Sequence, residues 1–224
     1  MSNNTIVYIP CRAGSKRLKA KNTRILGDKP LFQHSLDFAL LFKEDFFDIV
    51  VDSDDVEILE YCAKEGITYI HREKDLAGDF TSIMDVISAG LERMCYNNQE
   101  MNVVLLQPTN PFRLQEDFRE FIEAFNKNPN VIHMSVDTVT KILESKNGYL
   151  EPLTYRMFER SQDTQILYKE NGYYYYYPAS MFQNSKILKI KPFTCNSIYN
   201  FIDIDTELDF NIATKFYEDW NSRN

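Results

Sequence analysis

The stretch IPCRAGSKRLKAKN (residues 9–22) gathers Arg12, Lys16, Arg17, Lys19 and Lys21 directly after an apolar run. Near the other end of the chain, IDIDTELD sets Asp203 and Asp205 on either side of Ile204. At the end of a strand, period-two spacing turns both carboxylates to one face. Paired hard oxygens suit Mg²⁺, which typically takes one or two carboxylates plus substrate phosphates, and Mn²⁺ could substitute. The basic stretch offers complementary chemistry. Gly14 and Ser15 allow a tight turn whose N–H groups can face an anion, while Arg12, Lys16 and Lys21 add charge. The plainer readings are a solvated loop and a helix cap from Asp205 or Thr206, and a cap does not exclude a metal site. A phosphate loop and a metal-binding acid pair together imply nucleotidyl transfer, in which catalysis is mostly positioning and charge neutralisation.

Two further groups fall after predicted strands, where ligands of open α/β sheets collect. In DSDD (residues 52–55) helix capping explains at least one acid, with Asp54 the expected cap. In QPTNPFR (residues 107–113) prolines stiffen a loop from which the Gln107 amide could meet a base or a sugar. Neither G-x-x-x-x-G-K-[ST] nor G-x-G-x-x-G occurs here, which disfavours a Walker loop and a dinucleotide fold.

These residues need elements to hold them. TIVYIP, DIVVDSDD, ITYIH, NVVLLQP and VIHMSVDTV read as strands alternating with helical patterns, the signature of a parallel α/β sheet. NVVLLQP is nearly all apolar and therefore central. Leu31, Ser35, Phe38 and Phe42 share one face of a helix over 31–43, Gly66 stops the next, and Thr81 or Ser82 starts the third. After residue 137 the rhythm changes. Residues 140–172 are polar and aromatic, with turn signals at Asn147-Gly148 and Asn171-Gly172. YYYYYP (residues 173–178) predicts a strand whose tyrosines alternate between core and surface. KILKIKP and SIYNFIDID follow, then a final helix over TELDFNIATKFYEDW. One α/β domain, residues 1–224, with an inserted β-rich segment fits this order.

With 224 residues and 44% hydrophobic content, the chain can bury a full core. A net charge of −8 argues against a general nucleic-acid binder, so a local basic cluster points to a small anion. The four cysteines show no C-x-x-C spacing, and His34, His71 and His133 do not cluster with them, which disfavours zinc. There is no signal-like start and no apolar run long enough to cross a membrane; the expectation is a cytoplasmic protein with reduced thiols.

Taken together, IPCRAGSKRLKAKN, KPLFQHSLDFAL, VVDSDD, HREKDLAGDFTS, VVLLQPTNPFR and IDIDTELDFNIA resemble, in order, the motifs of the acylneuraminate (CMP-nonulosonic acid) cytidylyltransferases. The resemblance implies a Rossmann-like nucleotidyltransferase fold with a mixed, mainly parallel sheet flanked by helices. It also implies a homodimer with a projecting dimerisation and sugar-side segment over about 137–175. The implied reaction joins CTP to an acidic eight- or nine-carbon 2-keto sugar, releasing pyrophosphate. By motif, Arg12, Ala13, Gly14, Ser15, Lys16 and Asn22 correspond to nucleotide-binding positions, as do Arg72, Ser82 and Gln107. Arg12, Lys21 and Asp205 correspond to catalytic positions, and Asp203 with Asp205 to the metal pair. For the sugar the candidates are Gln107, Arg160, Gln162 and Tyr175, and Lys141 is a candidate to reach the partner's site. Ala13 and Arg17 stand where the family usually has glycine, and the motif leaves the role of Arg17 open. Two alternatives stay in view: a Kdo or other sugar nucleotidyltransferase, and a catalytically silent nucleotide-binding scaffold.

Overall fold

The computed structural model describes residues 4–78, 80–96, 101–153, 156, 159–183 and 189–223. In chain order the elements are β1 (Thr5–Pro10), the short ribbon β2 (Ile25–Leu26) and β3 (Lys29–Pro30), and α1 (Leu31–Leu40). Then come β4 (Asp48–Ser53), α2 (Val56–Glu65), β5 (Thr68–His71), α3 (Ile83–Arg93), β6 (Asn102–Leu105) and α4 (Gln115–Lys127). The second half holds β7 (Ile132–Val139), the hairpin β8 (Leu143–Lys146) and β9 (Tyr149–Pro152), β10 (Leu167–Tyr177), α5 (Ser180–Gln183), β11 (Ile190–Phe193) and α6 (Glu207–Arg223).

Seven strands form one sheet in the order β11-β7-β10-β6-β1-β4-β5. β10 runs antiparallel to both its neighbours, and the other pairings are parallel. β6 is central, as its unbroken apolar run demands. Side chains alternate between two cores: Val7 and Ile9 of β1 face α1, α2 and α4, while Ile6 and Tyr8 face α3. Each fully buried aliphatic side chain here contributes roughly 1.5–3 kcal/mol relative to exposure. A third cluster lies under α6 and joins Leu18 of the basic stretch to Ile202 and Ile204 of the acidic one. The two ends of the chain are therefore packed as one body where their charged residues meet.

Several expectations change. The tyrosines do not alternate between core and surface, since Tyr173 to Tyr177 are all buried. β10 is covered on both faces, so Tyr173, Tyr174 and Tyr176 enter one core and Tyr175 and Tyr177 the other. Residues 197–205 form no strand, yet the alternation survives: Ile202 and Ile204 are buried, and Asp203 and Asp205 point outward. In place of a ladder, local turns and the bond from Ile204 N–H to the Thr109 carbonyl at 2.9 Å hold the segment. Asp55, not Asp54, caps α2, accepting from the Glu57 amide at 3.0 Å. Of the strand expected over 186–192, residues 186–188 lie outside the described residues, and the ladder begins at Ile190.

Asn147 and Gly148 both adopt positive φ, 51° and 85°, and turn the β8–β9 hairpin. This hairpin is a separate two-stranded sheet. Asn171 and Gly172 turn nothing; the β10–β7 register shifts there between Glu170 and Tyr175.

Candidate active site

The basic stretch leaves β1 and is held down by the acids that follow β4. The Cys11 amide reaches the Asp52 carbonyl at 2.7 Å, the Ser53 hydroxyl donates to the Cys11 carbonyl at 2.6 Å, and the Ala13 amide donates to Asp54 Oδ1 at 2.7 Å. Within the loop, Asn22 is buried and its Nδ2 donates to the Arg12 carbonyl at 3.0 Å. DSDD thus divides into three roles: Asp52 binds Arg72, Ser53 and Asp54 fix the loop, and Asp55 caps a helix. The Ala13 amide faces Asp54 and not the open side of the loop.

Across the cleft, Lys21 Nζ sits 3.0 Å from Asp205 Oδ1 and Arg17 Nη2 sits 2.7 Å from Asp205 Oδ2. Thr206 and Asp209 make a reciprocal cap at the start of α6, with the Thr206 amide 2.7 Å from Asp209 Oδ2 and the Asp209 amide 3.3 Å from Thr206 Oγ1. Asp205 is thereby spared from capping. Arg24 grips Glu207 with two bonds of 2.6 and 2.5 Å and lies 4.2 Å from the centre of the Phe210 ring, tying α6 to the basic segment.

Three adjoining compartments open at this edge of the sheet. The first, about 270 Å³, is lined by Arg12, Lys21, Asn22, Arg72, Gly78, Thr81, Gln107 and Thr109, among others. The second, about 330 Å³, is lined by Arg12, Ser15, Lys16, Arg17, Lys21 and Asp205. The third, about 390 Å³, is walled by Gln107, Asp137, Lys169, Glu170, Asn171, Gly172, Tyr175, Asn200, Phe201 and Asp203. Arg12 and Lys21 belong to the first two, and Gln107 to the first and third. Arg72 reaches the first compartment from a buried ion pair with Asp52, Nε to Oδ1 at 2.5 Å, and the Tyr8 hydroxyl donates to the same carboxylate.

Most motif-derived residues converge here. Ser82 caps α3, accepting from the Asp85 amide at 3.1 Å, next to Thr81 and Ile83 of the first compartment. Arg160 and Gln162 line none of the three compartments; Gln162 lies on the exposed turn Ser161–Asp163, and Arg160, directly before it, binds Asp163 through Nε at 2.6 Å. Lys141, at φ 57°, precedes the hairpin. Asp54, Asp137, Lys169 and Asn200 were missed by motif reasoning. A carboxylate beside a helix start reads as a cap, and the pairing of β10 with β7 sets Lys169 opposite Asp137, with Asn171 at the register shift that follows. Asn171 Nδ2 and Asn200 Nδ2 bind Asp137 Oδ1 at 3.0 and 3.3 Å. Burial, and then the carboxylates Glu170 and Asp203, push the Tyr175 phenol up.

Among the described residues no group of three or more His, Cys, Asp or Glu could hold a metal. The donor set still fits Mg²⁺, because two carboxylates project from one extended segment beside a phosphate-sized basic cavity. Partial burial and repulsion from Asp205 push the Asp203 carboxyl up, against a hydrogen bond from Thr109 that lowers it. A cation would relieve that repulsion.

Residues 6–222 match the family described as cytidylyltransferase. The chain belongs to that family. It is 32% identical over 228 residues, 95% of this chain and 96% of the relative, to the CMP-N,N'-diacetyllegionaminic acid synthase of Legionella pneumophila. It is 30% identical to the N-acylneuraminate cytidylyltransferase of Streptococcus agalactiae serotype III, covering 92% of this chain and only 51% of that longer relative. A solved structure of CMP:2-keto-3-deoxy-manno-octonic acid synthetase complexed with CTP superposes with a TM-score of 0.72 at 16% identity, covering 97% of this chain and 99% of the other. That last likeness establishes the fold. The nucleotidyltransferase architecture and the family read from the motifs are both borne out, and this cytidylyltransferase is an enzyme of the nucleotidyl-transfer class.

Proposed function

We propose that this cytidylyltransferase transfers CMP from CTP to a nonulosonic, sialic-type acid, giving the CMP-sugar and pyrophosphate for surface glycan synthesis. The observation that carries the reading is the continuity of the three compartments around Gln107, Lys21 and the Asp203–Asp205 segment. The first takes the nucleoside, the second the triphosphate, and the third the sugar. Arg12 and Lys21, common to the first two, lie where the α-phosphate must sit. Arg17 and Lys21 occupy Asp205 until the triphosphate arrives and competes for them, which gives Arg17 a role.

In the reaction an anomeric hydroxyl from the third compartment forms an O–P bond at the α-phosphorus. The bond to the bridging oxygen breaks, pyrophosphate leaves with the electron pair, and the hydroxyl proton passes to water. Asp203 and Asp205 would hold Mg²⁺, which when bound supplies charge neutralisation at the phosphates. Among the described residues Lys169 is the cation that lines the third compartment, and we assign the sugar carboxylate to it and not to Arg160. Asp137, oriented by two amides, accepts from a sugar N–H or O–H.

The homodimer is part of the proposal. The hairpin and its flanks expose Leu143, Tyr149, Leu150, Leu153, Ile166 and Tyr168, of which Tyr149 is 76% exposed, a patch suited to a second copy. Among the described residues no helix is long and apolar enough to cross a membrane. A CTP substrate supports a cytoplasmic location, which is part of the proposal.

The test is pyrophosphate release from CTP and Mg²⁺ with N-acetylneuraminate, legionaminate, pseudaminate and Kdo in parallel, and with UTP and TTP in place of CTP. We expect CTP-selective release with a nine-carbon acid. Release with Kdo alone would move the enzyme to the octonic-acid class, and CTP binding without release for any acid would end the transferase reading.

A further inference from the structure

Arg113 is 2% exposed, and its hydrogen bonds among the described residues all go to uncharged oxygens. Nε donates to the Tyr173 carbonyl at 3.2 Å, Nη1 to Ser35 Oγ at 2.8 Å and Nη2 to the Gln107 carbonyl at 2.7 Å. Burial pulls its pKa down to about 10. A guanidinium buried without a counter-charge is costly, and an apolar side chain of similar size commonly serves a core as well or better. The three hydrogen bonds and the Tyr173 and Tyr174 rings, 5.9 and 6.0 Å away, soften that cost. The three acceptors come from β10, α1 and the loop after β6, so one rigid fork fixes three elements at once.

The Gln107 peptide is the acceptor with a functional side chain. Its carbonyl is held by Arg113 and, at 3.4 Å, by Ser35 Oγ. Its side chain stands on the boundary between the first and third compartments. The chain direction of Gln107, and with it the placement of its amide between the two substrates, is set from behind by Arg113. We propose that Arg113 is a positioning residue that acts through Gln107 on both nucleotide and sugar, a proposal resting on the functional reading above.

The test is a double-mutant cycle of Arg113→Lys and Gln107→Ala, read by kcat/KM for the sugar and by calorimetric CTP affinity. Lys keeps the charge but cannot serve three separated acceptors. In the wild-type background Arg113→Lys is expected to lower kcat/KM about tenfold, the loss of one charged hydrogen bond. In the Gln107→Ala background that loss should shrink to within about twofold, while the fall in thermal stability stays the same in both. Losses that multiply, or a Gln107→Ala variant indistinguishable from wild type, would overturn the proposal. If Arg113→Lys does not fold, Ser35→Ala removes one of the three acceptors and the same cycle is read with it. The CTP arm needs no sugar, so it decides the coupling even if no acid tried is a substrate.

Discussion

Asp54 is where the account of the basic loop can be tested by number. Its carboxylate accepts the Ala13 amide at 2.7 Å and so pins the loop that lines the phosphate compartment. A hydrogen bond to a charged group is worth about 1.5–3 kcal/mol. Both residues are half-buried, and water can partly replace the carboxylate, so about 1–1.5 kcal/mol is the working figure. Removing Asp54 also removes a negative charge near the phosphates, which favours CTP by about 1 kcal/mol or less after screening. The two effects oppose one another, and a single variant would confuse them. Asp54→Asn keeps an oxygen acceptor and loses the charge; Asp54→Ala loses both. Their difference isolates the bond. The bond that this difference isolates is neutral and worth about 0.5–1.5 kcal/mol, so in calorimetric titrations CTP should bind Asp54→Ala about two- to tenfold more weakly than Asp54→Asn. Thermal stability should fall by no more than about 2–4 °C, because Asp55 still caps α2. Equal CTP affinities for the two variants would refute the anchor.

Arg72→Met leaves Asp52, 2% exposed, with its main partner gone. Urea unfolding should show a loss of about 3–5 kcal/mol, toward the lower figure because Tyr8 still donates to that carboxylate. Gly172 has φ +83°, and a Cβ there would come within 2.8 Å of Asn110 Oδ1. Gly172→Ala should cost about 1–2 kcal/mol in backbone strain and raise KM for the sugar while leaving CTP affinity unchanged; equal changes in both would contradict the assignment of the third compartment. Burial holds His34 and His133 below the ordinary histidine pKa. The unfolded chain therefore binds protons that the folded one refuses once pH falls below about 6.5, and stability present above that is lost on acidification. The urea midpoint should drop between pH 7.5 and 5.5, and His133→Gln should flatten that slope; an unchanged slope would remove His133 from the account.

Much of this was legible in the sequence because it depends on local pattern. β1, β4, β5, β6 and β7 lie where apolar runs placed them, and Gly66 ends α2 at φ 69° as a left-handed cap. The pairing of residues 9–22 with 203–205 was readable from complementary charge together with the strand-end spacing of the two acids. What failed depends on partners distant in sequence. Asp54 looks like a helix cap until its loop partner at Ala13 is known. The tyrosines look half-exposed until β10 is found between β6 and β7, where both faces are covered. Residues 197–205 carry strand-like alternation, and α6 packing supplies the buried side for Ile202 and Ile204 without any neighbouring strand. Arg113 gives no local signal, since a buried guanidinium with three carbonyl-type and hydroxyl acceptors reads in sequence as an ordinary surface arginine.

The central claim is that the basic stretch and the Asp203–Asp205 pair are two halves of one catalytic site. Single-turnover formation of CMP-sugar by Asp205→Asn, measured beside its CTP affinity, tests it most directly. The account predicts CTP binding within a few-fold of wild type and transfer slowed by about a hundredfold or more. Transfer at the wild-type rate would contradict it.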